Sequence, residues 1–222
     1  MINNDFILDN DKQMSLWCAP DAEPTDLAHA ASRIIAHGGA NISVVPDAVS
    51  VIWPWLENKN ARILSRFYIT KTDSDTMSDV VKNINTVFKH GADGAQLFMK
   101  FKDMSSVVSQ MRQIRDDLFF NKSLFFGFDM RDIGPYSWGD VWAAIRDMRA
   151  NGVLLAMPRD SGEKSDFVGR VYAALNAADN INCELHFYVA STRVEQVSRL
   201  VQAMRPDLMQ QTQFFFNASA RE

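Results

Sequence analysis

The feature that most constrains the fold of this chain is an alternation of apolar, strand-like runs with helix-like segments, which can be counted eight times. The runs are short and apolar on both faces, as strands must be when a parallel sheet is buried between lumen side chains and helices. Eight such units predict an α/β fold of the (β/α)8 TIM-barrel type, spanning residues 1–222 as one domain. The predicted strands begin at Met14, Asn41, Arg62, Ala95, Ser123, Val153, Glu184 and Gln213.

An open, doubly wound sheet is the main competing fold, because it uses the same alternation. Such sheets commonly contain five or six strands and often carry a glycine-rich first turn, and this sequence has neither mark. The residues after the eighth strand are too few for a full eighth helix. We therefore expect a barrel that lacks its last helix, in which a partner subunit of a homo-oligomer covers the exposed flank of strands eight and one.

The composition, with 47% hydrophobic and 23% charged residues, is typical of a soluble globular protein. A formal net charge of −4 provides no general basic field, which argues against nucleic acid as the main partner. The N-terminus lacks the features of a signal peptide, and no run of about 18 apolar residues predicts a membrane span. The two cysteines, Cys18 and Cys183, match no metal or redox spacing, so we expect a reduced, cytoplasmic protein.

In a barrel of this type, the chemistry lies at the C-terminal ends of the strands. Counting by twos along strand four places Lys100 on the same face as Gln96 and Phe98. A lysine held there among apolar neighbours would be disfavoured as an ammonium, and its neutral amine could form an imine with a carbonyl compound. Asp129, at the end of strand five, is the candidate proton shuttle. The structural alternatives are a Lys100 that extends into solvent or pairs with Asp129, and an Asp129 that neutralises Arg131.

Phosphate groups usually bind in barrels to backbone N–H groups after strands seven and eight, beside a helix N-terminus. In this chain those places hold small polar residues, and arginines on nearby loops are available for charge-assisted hydrogen bonds. Thr192 also has a structural alternative as the N-cap of the seventh helix. The candidate residues for binding substrate or phosphate are Arg131, Arg159, Ser191, Thr192, Arg193, Asn217 and Ser219.

The histidines form no set with the spacing of metal ligands. His186 lies inside strand seven, where packing in the sheet is the simplest role, and the other three lie on or beside outer helices. We therefore expect no metal and no cofactor. The partner that the strand-end arginines predict is a small anionic metabolite.

Several stretches resemble the deoxyribose-phosphate aldolase family. Residues Pro20–Thr25 and Gly39–Pro46 are similar to the opening of that family. Later stretches follow in the family's order: residues 91–96 resemble its fourth-strand entry, residues 156–162 its sixth-strand end, and residues 189–194 its seventh. The resemblance covers most of the chain and implies a TIM barrel with Schiff-base aldolase chemistry on a sugar phosphate.

The departures from this family fall on its catalytic residues. Met157 stands where the resemblance implies the imine-forming lysine of strand six, Val189 where it implies the lysine of strand seven, and Gln96 where strand four carries an aspartate. Thr192 and Arg193 replace the double glycine of the phosphate site. The chain therefore resembles a divergent barrel of this type, and none of the family's catalytic roles carries over to a residue here.

Three functions stay open at this point. The first is an aldolase-like lyase for a small, phosphorylated carbonyl compound, with Lys100 forming the imine from strand four, as in transaldolase-like barrels, and Asp129 as acid and base. The second is a non-catalytic barrel that binds a metabolite or acts as a regulatory subunit. The third is an acid/base isomerase or epimerase that uses Asp47, Asp129 and Asp160. A Lys100 beside a carboxylate in a closed pocket favours the first function, and a Lys100 in solvent favours the second.

Overall fold

Eight parallel strands form a closed barrel in the computed structural model, which describes residues 14–157, 166–178 and 181–218. Each strand pairs with the next along the chain, and the last strand pairs with the first, so the sheet has no edge. This confirms the predicted (β/α)8 barrel and excludes the open sheet. The strands are β1 Met14–Trp17, β2 Asn41–Val44, β3 Arg62–Ile69, β4 Gly94–Met99, β5 Ser123–Asp129, β6 Gly152–Ala156, β7 Glu184–Tyr188 and β8 Thr212–Asn217.

Helices follow the first seven strands and cover the outside of the barrel. They are α1 Pro24–Ala36, α2 Val49–Leu56, α3 Ser74–Lys89, α4 Met104–Met111, α5 Arg115–Leu118, α6 Trp138–Asp147, α7 Phe167–Asn176 and α8 Ser191–Met204. In the longest of them, α3, Met77, Ile84 and Val87 form one buried face, and the Asp73 carboxylate caps the first turn by accepting from the Thr76 N–H at 2.9 Å. Within the described residues, no helix has the length and apolar character needed to cross a membrane.

The flank between β8 and β1 is closed, although the described part of the chain contains no helix after β8. The outward side chains of Leu16 and Phe214 are buried and belong to the same hydrophobic core as the inner faces of the helices. Arg33 of α1 donates from Nη1 to the Ala218 carbonyl at 3.0 Å, which ties this helix to the end of β8. The expectation of an exposed flank was therefore wrong, because neighbouring parts of the chain cover these two strands.

The lower end of the lumen, where the strands begin, is held by charged side chains. Arg62 donates from Nη1 and Nη2 to the two carboxylate oxygens of Glu184, at 2.8 and 2.5 Å, and so joins β3 to β7 across the barrel. His186, which is fully buried, stacks on the Phe125 ring and contacts Glu184 Oε2 through Nε2 at 2.9 Å. Glu184 thus accepts hydrogen bonds from both sides of the lumen.

Three polar side chains continue this network around the lower lumen. Arg62 Nε donates to Asn41 Oδ1 at 2.8 Å, and Asn41 Nδ2 donates to the Ser15 hydroxyl at 3.0 Å. The Ser15 hydroxyl in turn donates to Gln213 Oε1 at 3.3 Å. Because each buried donor here finds an acceptor, the network satisfies groups that would otherwise destabilise a closed lumen.

The charge states in this network follow from its geometry. Burial alone would raise the pKa of Glu184, but hydrogen bonds from His186 and Arg62, together with the charge of Arg62, lower it to about 2. Burial lowers the pKa of His186 against the opposing effect of Glu184. The Nδ1 atom of His186 has no hydrogen-bond partner in the described part of the chain, which also fits a neutral ring that donates from Nε2.

We predict that Glu184→Gln lowers the free energy of unfolding by about 2–3 kcal/mol at pH 7, because the folded-state pKa of Glu184 is depressed and the ion pair stabilises the protein above the unfolded pKa. This stabilisation is lost as the pH falls from about 4.5 toward 2. The difference in the free energy of unfolding between variant and wild type, measured by urea unfolding, should therefore decrease over that pH range. Asp147→Asn, which breaks an exposed ion pair with Arg112, is the control and should cost little. If the loss in the free energy of unfolding of Glu184→Gln did not change with pH, this explanation would be contradicted.

Candidate functional site at the barrel mouth

Lys100 projects into solvent at the end of β4. It is the first residue after the strand, it is exposed, and it precedes a 3-10 turn over Phe101–Asp103. Lys100 still has extended backbone angles as the N-cap of this turn, so its exposure reflects its place at the open rim, above the lumen side chains of Gln96 and Phe98. In the described part of the chain, no ion pair joins Lys100 to Asp129 or to another carboxylate. The burial that the imine hypothesis requires is missing.

Asp129 is engaged by the arginine two residues after it. Its carboxylate accepts from the Arg131 side chain, with the shortest contact at 2.5 Å from Nη2 to Oδ2, and from the Arg131 backbone N–H at 2.9 Å. Burial raises the pKa of Asp129, but these hydrogen bonds and the charges of Arg131 and Arg170 outweigh it and lower the pKa. A carboxylate held in this way is a weak proton acceptor, and the arginine predicted to bind an anion is engaged with it.

The loop after β7 leads directly into the N-terminus of α8. Ser191 and Thr192 are the first two helical residues and are exposed, and the N-cap is Ala190, which provides no side-chain hydrogen bond. The prediction that Thr192 caps this helix was wrong, because the helix begins before it. Arg193 is half-buried, with its guanidinium over the Phe167 ring at 4.4 Å from the centroid. The first turn contains no acidic residue, so its free N–H groups keep their affinity for an anion.

The remaining candidate residues are distributed as follows. Asn217 is exposed at the end of β8, on the same face of the barrel as the start of α8. Asp47, which the isomerase hypothesis used, is exposed in the 3-10 turn after β2. Arg159, Asp160 and Ser219 lie outside the described residues.

The positions of the expected aldolase lysines are occupied by buried apolar side chains. Met157 follows β6 and is 7% exposed, and Val189 follows β7 and is 8% exposed. Neither side chain can act as a nucleophile or carry a proton. Gln96, in place of the strand-four aspartate, is fully buried in the lumen.

Aromatic rings close the upper lumen. Trp17 stacks on Tyr188 with ring centroids 4.5 Å apart, and it contacts Phe98 and Phe215 edge to face at 5.5 and 6.3 Å. Tyr68 packs on Phe98 and is about half exposed at the rim of the barrel. The centre of the mouth is therefore filled by rings that belong to four different strands.

Beneath these rings lies a buried cation, Arg66 of β3. Its guanidinium lies 3.9 Å from the centre of the Trp17 ring, donates from Nη2 to the Cys18 carbonyl at 2.5 Å, and donates from Nη1 to the Ser43 carbonyl at 3.0 Å. Burial lowers the pKa of Arg66, an effect that the neighbouring hydroxyl of Tyr68 opposes. No carboxylate of the described residues forms an ion pair with it.

Arg66, Trp17 and Tyr188 did not emerge from the sequence as candidate residues. The signal that could have revealed Arg66 is the same period of two that was applied to strand four, because it places Arg62, Leu64 and Arg66 on one face of β3. Two arginines on one face of a buried strand indicate polar chemistry inside the barrel.

The two thiols are poor nucleophiles, and two grooves lie on the outside of the barrel. Burial raises the pKa of Cys18 to about 11 and that of Cys183 to about 12, so neither is a ready nucleophile. Residues 14–157, 166–178 and 181–218 contain no group of three side chains suited to hold a metal ion. A groove of about 510 Å³ lies beside Glu184 at the lower end of the barrel, and one of about 380 Å³ lies beside Asp47 and His90.

Comparisons with known proteins reveal a similarity of fold. No protein-family model matches the sequence, and no curated protein is significantly similar to it. Among solved structures, the tetrameric deoxyribose phosphate aldolase from Aeropyrum pernix superposes with a TM-score of 0.73 at 11% identity, over 94% of this chain and 87% of that one. The aldolase QR15 gives a TM-score of 0.70 at 12% identity, over 99% and 93% of the two chains.

A barrel named for copper homeostasis, CutC from Streptococcus agalactiae, also matches, with a TM-score of 0.68 at 9% identity over 93% and 99% of the two chains. Proteins named for different functions thus share this architecture, and identities this low establish the likeness of fold alone. The chain has the (β/α)8 fold of the deoxyribose-phosphate aldolases, as its sequence resemblance predicted.

Proposed function

We propose that this protein is a metabolite-binding barrel, which holds a small anionic compound, such as a phosphorylated one, at its mouth without forming an imine. The observation that carries the proposal is that Met157 and Val189 stand at the expected lysine positions while Lys100 is exposed. An imine-forming lysine needs a water-poor pocket that favours its neutral amine, and this mouth offers none to Lys100.

The start of α8 supports the binding of an anion. Backbone N–H groups at a helix N-terminus carry partial positive charge, and Ser191 and Thr192 add hydroxyl donors there. Arg193 adds a full positive charge next to them. The engagement of Asp129 by Arg131 leaves the start of α8 as the better candidate anchor than the loop after β5.

An aldolase-like lyase that acts on a carbonyl compound through Lys100 is the second candidate. The observation in its favour is that solved structures named as aldolases superpose on more than nine-tenths of this chain, and Lys100 lies on the face where barrel enzymes carry their chemistry. A homo-oligomer and a cytoplasmic location also stay predictions; the tetrameric aldolase with a similar fold supports the first of them.

Borohydride reduction distinguishes the two candidates. The protein is treated with borohydride in the presence of small aldehydes, ketones and their phosphates, and intact masses are compared for wild type, Lys100→Ala and Lys102→Ala. We expect no adduct that depends on Lys100, because its exposed amine lacks a pocket. Lys102 is an exposed neighbour and serves as the matched control. One adduct that forms in wild type and Lys102→Ala, and vanishes in Lys100→Ala, would establish the lyase and overturn the binding proposal.

A second experiment tests the anion site at α8. Inorganic phosphate, compared with chloride at equal ionic strength, should raise the melting temperature of the wild type, because a ligand that binds only the folded state stabilises it. Thr192→Glu should weaken phosphate binding by about 10-fold, since it places a negative charge at the site while favouring the helix itself. Gln202→Glu, near the other end of α8, adds the same charge and should leave the phosphate response unchanged. If phosphate raised the melting temperatures of Thr192→Glu and Gln202→Glu equally, the start of α8 would not be the phosphate-binding site.

A further inference from the structure

Two buried donors in the lumen have no acceptor in the described part of the chain. They are Arg66 Nε and Gln96 Nε2. Arg66 and Gln96 are also register partners on the paired strands β3 and β4, and both side chains reach Ser43 of β2. An unsatisfied buried N–H group destabilises the folded state, so two of them at neighbouring positions require an explanation.

The hydrogen bonds of Ser43 determine which donors of Arg66 and Gln96 have no acceptor. Its hydroxyl oxygen accepts from Arg66 Nη1 at 3.3 Å, and its proton is donated to Gln96 Oε1 at 2.5 Å. The amide NH2 of Gln96 therefore faces away from Ser43 and has no acceptor among the residues that the structure describes. On Arg66, Nη1 donates to the carbonyl and the hydroxyl of Ser43, and Nη2 donates to the Cys18 carbonyl. The Tyr68 hydroxyl also hydrogen-bonds this guanidinium, and Nε is the nitrogen that has no acceptor among the described residues.

The positive charge of Arg66 indicates which kind of ligand group could accept hydrogen bonds from these two donors. Arg66 is 1% exposed and its positive charge is balanced by no carboxylate of the described residues. A buried charge is tolerated when it is paired and hydrogen-bonded. One cation balances one negative charge, which favours a monoanion over a doubly charged phosphate group. A carboxylate carries one charge, only accepts hydrogen bonds, and has two oxygens for two donors.

We propose that Arg66 and Gln96 form a carboxylate-binding site inside the barrel, and that the anionic metabolite of this protein carries a carboxylate bound there. The site rests on the proposed function, because its ligand enters through the same mouth. The stacked rings of Trp17 and Tyr188 lie across the way in, so binding requires these rings to part. The ligand carboxylate accepts from Arg66 Nε and Gln96 Nε2, and neither residue transfers a proton or forms a bond.

The test uses a variant that provides its own carboxylate. Gln96→Glu places a carboxylate beside Arg66 and should occupy the site from within. Acetate, glyoxylate and pyruvate, compared with chloride at equal ionic strength and pH 7, are expected to raise the melting temperature of the wild type. In Gln96→Glu, we expect a higher melting temperature without ligand and carboxylate binding weakened by more than about 10-fold. Gln113→Glu adds the same charge on the outside of the barrel and should bind carboxylates like the wild type.

A second variant tests whether the charge introduced by Gln96→Glu weakens carboxylate binding only indirectly. Arg66→Met removes the cation and should also abolish the carboxylate response, at a cost in stability. No response of the wild type to any carboxylate, or an unchanged response in Gln96→Glu, would overturn the inference and leave the two donors to a buried water molecule. A phosphate response that depends on Thr192 in a protein indifferent to carboxylates would keep the proposed anion site and reject this one. A carboxylate response lost in Gln96→Glu but retained in Thr192→Glu would support this site independently of α8.

Discussion

The guanidinium of Arg66 lies between the face of the Trp17 ring and the backbone carbonyls of Cys18 and Ser43, and so it joins the first three strands at the level where the lumen closes. A guanidinium suits this place because it is planar, weakly hydrated and able to stack while donating in its own plane. A lysine would offer a compact, strongly hydrated charge that could not meet both carbonyls and the ring at once. The aromatic closure of the mouth depends on this cation, since Trp17 rests on it.

This arrangement changes what the barrel can do. A Schiff-base enzyme keeps an amine at the top of the strands, whereas in this barrel aromatic rings close the top of the lumen and a guanidinium lies beneath them. The buried Met157 and Val189 continue that filling at the ends of β6 and β7. The likeness to aldolases therefore lies in the backbone, and the lumen has a chemistry of its own, based on hydrogen-bond donors and a fixed positive charge.

The architecture could be predicted from the sequence because a parallel barrel needs eight apolar runs and short connections, and both are visible in the order of residues. The site could be predicted only in part. Period-two counting placed Gln96 and Phe98 in the lumen correctly, but it could not show that Lys100, at the open end just before a 3-10 turn, is exposed to solvent. Asp129 was found, and its pairing with Arg131 was one of the alternatives, because two residues on one short turn can meet without help from the fold. Arg66 could not be predicted from the strand ends, because this residue lies within β3.

The ion pair between Arg62 and Glu184 crosses the barrel between strands that are 122 residues apart in sequence. Neither half of the chain can neutralise its own member of this pair, since the arginine belongs to β3 and the glutamate to β7. A half-barrel separated after β4 would carry an arginine without its acceptor, and the complementary half a carboxylate without its donor. The lower lumen thus makes the two halves interdependent, and it favours closure of the barrel as one cooperative event over the independent folding of either half.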